Sequence, residues 1–326
     1  MTADDPLQPF LAEQGVVVLD GALATELERR GADLSDKLWS ARLLIEDPAS
    51  IRQLHLDYFL AGADVAISAS YQASFEGFAR RGLSRMESAA LLQSSVRIAQ
   101  QARDRFWEEL HDPIQNARRE RPLVAASVGS YGAYLADGSE YRGEFGISNQ
   151  ELKAWHRPRL EALLAAEPDL LACETIPCFQ EGEVLVELLD EYRQTPAWLS
   201  FSCRDRGNVG SGEPFAACVG LAESSPTIVA VGLNCTSPRY AHQLLNRARK
   251  VTAKPLVCYP NSGELWDSRS RSWIAGSEPG RFTDLAPAWK AAGARLIGGC
   301  CRTAPDDIRS LAALLSAYSC QNTFEC

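Results

Sequence analysis

Three cysteines stand at the ends of two apolar runs in this sequence, and together they could bind a soft metal ion. Residues 294–301 read ARLIGGCC, so one run ends in a Gly-Gly pair followed by Cys300 and Cys301. Residues 228–235 read IVAVGLNC and finish on Cys235. Such runs predict buried strands, and thiolates suit zinc, which prefers sulfur and nitrogen ligands in a tetrahedron.

A fourth protein ligand is not evident. His55, His156 and His242 fall in predicted helices, and His111 falls at the end of one. Three ligands and one open position are what a substrate-binding zinc needs. Two other interpretations stay open: a redox-active disulfide between the adjacent cysteines, or burial of the thiols as small apolar side chains.

Eight β-prone runs alternate with helical stretches along the chain. The predicted strands cover residues 16–20, 64–70, 123–129, 170–175, 197–203, 228–235, 255–259 and 294–301. The helical stretches include residues 51–61, 87–110, 151–166, 181–192, 239–251 and 306–318. This alternation predicts an α/β fold, a single (β/α)8 TIM barrel. A doubly wound sheet is the alternative, but the first strand is followed by GALA and not by a phosphate-binding G-x-G-x-x-G turn.

A barrel would bring several reactive side chains to one opening, because the active sites of this fold lie at the carboxyl ends of the strands. The strand-end residues are Asp20, Tyr71, Glu174, Asn234, Cys235, Tyr259, Cys300 and Cys301. The irregular segments 135–149 and 260–281 also follow strands. Their aromatic residues, which are Tyr141, Phe145, Trp266 and Trp273, could close over a ligand or pack on the barrel rim.

The composition and net charge of the chain argue against a nucleic-acid-binding protein and against a membrane-spanning one. The net charge of −9 over 326 residues leaves no cationic excess for a nucleic-acid partner. No apolar stretch is long enough for a membrane span, and no signal peptide is evident, so we expect a cytoplasmic protein whose ten cysteines remain free, bind metal or react. We expect one domain over residues 1–326, with a short N-terminal lead at 1–15 and a polar C-terminal tail at 319–326.

The same residues lie in motifs that resemble those of a known family, the zinc-dependent homocysteine S-methyltransferases of the type that uses S-methylmethionine. The matching strings are LDGALATEL at 19–27, LWSA at 38–41, ASYQA at 69–73, GSYGAYLADGSEY at 129–141, ETIP at 174–177, NC at 234–235, YPNSGE at 259–264 and GGCCRT at 298–303. The resemblance spans residues 16–315, and the family fold is a (β/α)8 barrel.

The resemblance implies roles for individual residues. The family's zinc ligands fall on Cys235, Cys300 and Cys301, and the acidic residues that hold the homocysteine amino group fall on Asp20 and Glu174. The aromatic positions Trp39 and Tyr71 are expected near the substrates, as is Asn234. The implied cofactor is Zn²⁺, and the implied partners are homocysteine and S-methylmethionine. The chain lacks the dimerising extension of betaine-dependent relatives, so a monomer is expected.

Other functions remain open at this point. A selenocysteine methyltransferase would use the same site, because a selenol would occupy the same zinc position as a thiol. S-adenosylmethionine could also serve as donor. A thiol-redox or metal-binding protein would use the adjacent cysteines without methyl transfer. A hydrolase would instead use Asp20 and Glu174 as acid and base.

Overall fold

The computed structural model describes residues 5–33, 39–110, 112, 119–267, 272–274 and 282–322. Strands occur at intervals along these residues. They are β1 Val17–Val18, β2 Val65–Ile67, β3 Leu123–Gly129, β4 Leu170–Ile176, β5 Ala197–Phe201, β6 Ile228–Asn234, β7 Leu256–Tyr259, β8 Leu265–Asp267, β9 Ser272–Ile274 and β10 Ala294–Ile297. β8 and β9 form a separate antiparallel pair. The other strands are parallel and follow the order β1-β10-β7-β6-β5-β4-β3-β2.

The parallel sheet closes on itself between its first and last strands. Leu19 and Val65 form a parallel bridge, and the amide of Asp64 donates to the Val18 carbonyl at 2.7 Å. Within the described residues this makes eight parallel strands in a barrel, so the predicted (β/α)8 fold is confirmed.

Helices connect the strands and cover the outside of the barrel. They are α1 Gln8–Gln14, α2 Ala24–Arg29, α3 Leu43–Glu46, α4 Pro48–Ala61, α5 Phe75–Ala79, α6 Arg85–Arg105, α7 Tyr131–Leu135, α8 Asn149–Leu164, α9 Phe179–Leu189, α10 Phe215–Gly220, α11 Pro238–Ala248, α12 Phe282–Ala291 and α13 Pro305–Asn322. One large apolar cluster joins their inner faces to the sheet. No helix in the described ranges has the length and apolar character needed to span a membrane.

Capping residues explain why the long helices begin earlier than predicted. Helix α4 begins at Pro48 because the Asp47 side chain accepts from the Ser50 amide. Helices α6 and α8 each begin with a capping box, in which Ser84 and Ser148 are the N-cap residues. These side chains satisfy amides that have no partner within the helix.

Several strands are shorter than predicted because other groups take over their hydrogen bonds. The amide of Ile67 donates to Asp20 Oδ2 at 2.8 Å, and the amide of Val18 donates to Asp64 Oδ2 at 2.8 Å. The prediction of a strand through residue 301 is also wrong: β10 ends at Ile297. At Ile67 and Val18 a carboxylate therefore accepts the amide in place of a strand carbonyl.

Helix α1 lies inside the segment predicted to be a short N-terminal lead. Its Phe10 and the preceding Leu7 are buried and belong to the apolar cluster that fills the barrel interior with Leu19 and Trp198. Leu7 and Phe10 therefore contribute to the core.

A buried arginine fixes the loop that carries Tyr71. Arg159 of helix α8 is 1% exposed and donates to the carbonyls of Ala73 at 2.9 Å, Gly129 at 3.0 Å and Tyr71 at 3.3 Å. Burial lowers the pKa of Arg159 to about 10, so the guanidinium is still charged at neutral pH.

We expect Arg159→Met to lower the free energy of unfolding by about 3 kcal/mol, because three buried carbonyls lose their donors. Arg157→Met on the same helix is the matched control, since Arg157 forms a partly exposed pair with Glu191 worth about 0–1 kcal/mol. Urea unfolding of both variants measures the difference. Equal losses would contradict a structural role for Arg159.

Candidate metal centre

Cys235 is held in an unusual backbone conformation at the end of β6. Its φ angle is +46°, in the left-handed region that few residues other than glycine adopt. Its amide donates to the Tyr259 carbonyl at 3.2 Å. Strain of this kind persists where surrounding contacts impose it, and it clusters at functional sites.

Cys300 and Cys301 lie in a loop tied to the neighbouring strand ends. The Gly299 amide donates to the Asp20 carbonyl at 3.0 Å, the Cys300 amide donates to Pro260 at 2.8 Å, and the Ser262 amide donates to Cys301 at 3.1 Å. A Cβ on Gly298 would lie 2.6 Å from the Cβ of Leu19. Gly298 is thus needed for the chain to pass so close to Leu19, and a Cβ on Gly299 would instead meet the Thr303 side chain.

The three thiols converge as the sequence predicted. Their sulfur atoms all lie within 4.8 Å of one another, and the sulfurs of Cys235 and Cys301 are 3.7 Å apart. Zinc–sulfur bonds of about 2.3 Å in a tetrahedron place the sulfurs about 3.8 Å apart. The donor set therefore fits a zinc-sized soft cation with small adjustments.

The three sulfurs do not ionise independently. Hydrogen bonds from Cys300 and Cys301 hold the pKa of Cys235 well below that of an ordinary thiol. Hydrogen bonding with Cys235 raises the pKa of Cys300 and of Cys301. One thiolate is therefore favoured within the cluster, and a divalent cation would supply the charge that keeps all three ionised.

Two buried carboxyl groups lie beside the thiols at other strand ends. Asp20 is 3% exposed and Glu174 is 7% exposed. Burial, followed by the charge of Glu174, raises the pKa of Asp20 well above its usual range. Burial also raises the pKa of Glu174 to about 7, with a further contribution from Cys235. Such a pair is suited to a cationic ligand group, which would relieve both effects.

The hydrogen bonds of these carboxyl groups leave one acceptor open. Glu174 Oε1 accepts from Ser127 at 2.5 Å and Oε2 accepts from the Tyr259 hydroxyl at 3.1 Å. Asp20 Oδ2 is used by Ile67, whereas the buried Oδ1 makes no hydrogen bond to any described residue. An ammonium group would satisfy that oxygen.

Asn234 is fully buried and binds its neighbours in the barrel. Its Oδ1 accepts from the Thr175 amide at 2.7 Å and from Ser200 at 2.9 Å, and its Nδ2 donates to Thr175 Oγ1 at 2.7 Å. Thr175 has a φ of +57°. Asn234, the residue before Cys235, thus fixes the backbone directly after Glu174.

The structure describes the side chain of Tyr71 but not those of the three tryptophans that the sequence analysis named. Tyr71 lies among the site residues, since burial and then the charges of Glu140 and Cys235 raise its pKa well above the usual value. Trp39 begins a short 3-10 helix, Trp39–Arg42, but its side chain lies outside the described part of the structure. The side chains of Trp266 and Trp273 lie outside it as well.

Loop residues 139–141 contribute groups whose roles the sequence pattern did not reveal. The Tyr141 hydroxyl lies 3.2 Å from the Cys235 sulfur. Glu140 is half-buried, and its Oε2 is shielded from water without a hydrogen bond to any described residue. The sequence indicated Tyr141 as an aromatic residue that could close over a ligand, and both residues lie in the matching string at 129–141, but no signal gave Glu140 a role.

The remaining described cysteines do not join the cluster. Cys173, Cys178, Cys203, Cys218 and Cys258 are buried. Burial raises the pKa of each of these thiols. They are packed as small apolar side chains.

Comparison with known proteins places this site in a family context. A sequence profile of homocysteine S-methyltransferases matches residues 17–315. Homocysteine S-methyltransferase YbgG of Bacillus subtilis is 49% identical over 95% of this chain and 97% of its own length. Homocysteine S-methyltransferase of Escherichia coli is 49% identical over 96% of this chain and 99% of its own. The metallated form of the homocysteine methyltransferase MmuM from Escherichia coli superposes with a TM-score of 0.84 at 48% identity, over 95% of this chain and 100% of that one.

Proposed function

The chain belongs to the homocysteine S-methyltransferase family, and from that membership we propose that it transfers a methyl group from S-methylmethionine to homocysteine held at a zinc ion. Its activity as a homocysteine methyltransferase follows from the family. The methyl donor, the metal and the roles of individual residues are the proposal. The observation that carries it is the convergence of three sulfur atoms within 4.8 Å at the mouth of the barrel.

We propose Cys235, Cys300 and Cys301 as the zinc ligands. Zinc bound there would keep the homocysteine thiol deprotonated and nucleophilic. Three thiolates and Zn²⁺ carry a net charge of −1, so the site retains electron density for the acceptor sulfur. The existence of a metallated form of a relative with the same fold supports the proposal that this protein binds a metal.

Asp20 and Glu174 are proposed to bind the homocysteine ammonium. An ammonium group at this position would donate to Asp20 Oδ1, which makes no hydrogen bond to any described residue. Its charge would also lower the pKa of Glu174, which is raised to about 7. Asn234 is proposed to act indirectly, because its side-chain amide forms hydrogen bonds with Thr175, the residue after Glu174. Tyr71 and Trp39 are proposed to contact the substrates, where a ring face would stabilise a sulfonium by about 1 kcal/mol.

Beyond binding the two substrates, the protein needs mainly to align the two sulfur atoms with the methyl group. A lone pair of the homocysteine sulfur forms the new bond to the methyl carbon, while the bond from that carbon to the donor sulfonium breaks. The donor leaves as neutral methionine, the acceptor becomes methionine, and the thiol proton passes to solvent. Holding the two sulfurs in line with the methyl group can contribute several kcal/mol.

The test uses reduced, zinc-loaded protein, S-methylmethionine and homocysteine carrying ¹³C in its carbon chain. We expect ¹³C-labelled methionine, and we expect a chelator to prevent its formation. Reversible thiol oxidation without labelled methionine would indicate a redox protein, and labelled methionine unaffected by complete metal removal would refute the zinc role. Selenocysteine added as a competing acceptor, and S-adenosylmethionine used as the donor, test the two substrate alternatives.

A further inference from the structure

A further acidic residue, Glu140, precedes Tyr141, whose hydroxyl lies 3.2 Å from the Cys235 sulfur. We propose that Glu140 binds the α-ammonium group of the methyl donor and thereby selects amino-acid sulfonium compounds. This inference rests on the proposed function, because it assumes that two amino acids meet at the site.

The side chain of Glu140 is placed for a ligand. Its Oε2 is shielded from water and makes no hydrogen bond to any residue that the structure describes, a state that costs free energy until a donor arrives. Burial and then the charge of Cys235 raise the pKa of Glu140 to about 7. The carboxyl group is therefore near the thiols and lacks a cationic partner strong enough to offset burial.

The loop that carries Glu140 is held firmly. The Ser202 hydroxyl donates to the Glu140 carbonyl at 2.9 Å, and a Cβ on Gly132 would come 2.8 Å from the Glu140 Cα. The next residue, Tyr141, has its hydroxyl 3.2 Å from the Cys235 sulfur. The backbone of Glu140 is thus held by packing and by the Ser202 hydroxyl, and its Oε2 takes no part in this.

Glu140 is separate from the acidic pair assigned to homocysteine. Asp20 is influenced most among charged groups by Glu174, whereas Glu140 is influenced most by Cys235 and Asp137. The charges of Glu140 and of Glu174 both contribute to raising the pKa of the Tyr71 phenol, so Tyr71 is near both acidic positions. A transfer between two amino acids needs two ammonium sites, and Glu140 would supply the second.

The ammonium keeps its charge throughout the reaction, whereas the sulfonium loses its charge. A carboxylate paired with the ammonium therefore stabilises the bound donor and the transition state alike, and we expect it to act through donor binding. Glu140→Gln should lower kcat/KM for S-methylmethionine about 10- to 100-fold, mostly through KM. The homocysteine KM and the zinc content should not change.

The decisive comparison uses 4-(dimethylsulfonio)butanoate, which is S-methylmethionine without its α-amino group. The variant and the wild type should differ less than about 2-fold with it, measured as turnover or, where turnover is slow, as its inhibition constant against S-methylmethionine. Glu144→Gln, an exposed carboxylate in the same loop, is the matched control and should behave as the wild type.

The outcomes separate the two proposals. If the wild-type protein forms no methionine from S-methylmethionine and homocysteine, the proposed donor is refuted. The same comparison is then made with S-adenosylmethionine as the donor, because it also carries an α-ammonium group. With an active wild type, equal losses for both sulfonium compounds, a raised homocysteine KM, or an unchanged donor kcat/KM in Glu140→Gln would each overturn the role of Glu140. Thermal unfolding and zinc content of the variant exclude misfolding as the cause of a loss.

Discussion

Replacing Cys235 with alanine is expected to abolish stoichiometric zinc binding and to reduce homocysteine methylation by at least about 1,000-fold. With one ligand gone, the other two thiols lose the partner that completes the cluster, since the Cys235 and Cys301 sulfurs are 3.7 Å apart. The acceptor thiol would then be neither ionised nor held in place. Metal analysis of protein purified under reducing conditions, together with kcat/KM for homocysteine, measures both effects.

Cys218→Ala is the control for this experiment, because Cys218 is fully buried in helix α10 and lies outside the thiol cluster. It should retain one zinc per chain and activity within about 2-fold of the wild type, at a stability cost of about 1 kcal/mol for the lost packing. Cobalt substitution gives a second readout, since thiolate-to-cobalt absorption should weaken in Cys235→Ala and not in Cys218→Ala. Full zinc and full activity in Cys235→Ala would refute the metal centre.

The thiol cluster was predictable because its members sit at strand ends in the sequence. Alternating apolar runs define the strands, and a parallel barrel brings their carboxyl ends to one face. Cys235, Cys300 and Cys301 could therefore be placed together from the sequence pattern. The same argument placed Asp20 and Glu174 at that face, where the structure finds both buried.

Other features depend on contacts that no local pattern encodes. Glu140 lies in a short 3-10 helix, Ser139–Tyr141, and its backbone contacts Gly132 and Ser202, which are distant from each other in sequence. Similarly, the pairing of the Asp20 carboxylate with the Ile67 amide shortens a strand that apolar periodicity predicts to continue. Helix α1 was missed because a short amphipathic segment gives little signal before its core contacts are known.

Glu174→Gln is expected to lower kcat/KM for homocysteine about 100-fold, because the amide cannot pair with the ammonium as a carboxylate does. The substitution preserves shape, and the Ser127 and Tyr259 hydroxyls can still bond to it at the distances seen for Glu174, 2.5 and 3.1 Å. An acceptor without the amino group, 4-mercaptobutanoate, should be used equally by the variant and the wild type. Comparable losses for both acceptors would mean that Glu174 does not recognise the ammonium.

The pH dependence gives an independent check, because the pKa of Glu174 is raised to about 7 in the folded protein. An ammonium ligand favours the ionised carboxylate, so homocysteine affinity should fall as the pH drops below about 7 in the wild type, and that component should vanish in Glu174→Gln. For the ligand-free protein the sign is opposite. A carboxyl pKa raised by folding means that ionised Glu174 destabilises the fold above pH 7 and that this penalty disappears as the pH falls toward 4.5. The melting temperature of Glu174→Gln should therefore be above that of the wild type at pH 8, and the difference should shrink toward pH 5. A variant less stable than the wild type at both pH values would show that Glu174 is a structural group and not one kept for a cationic substrate.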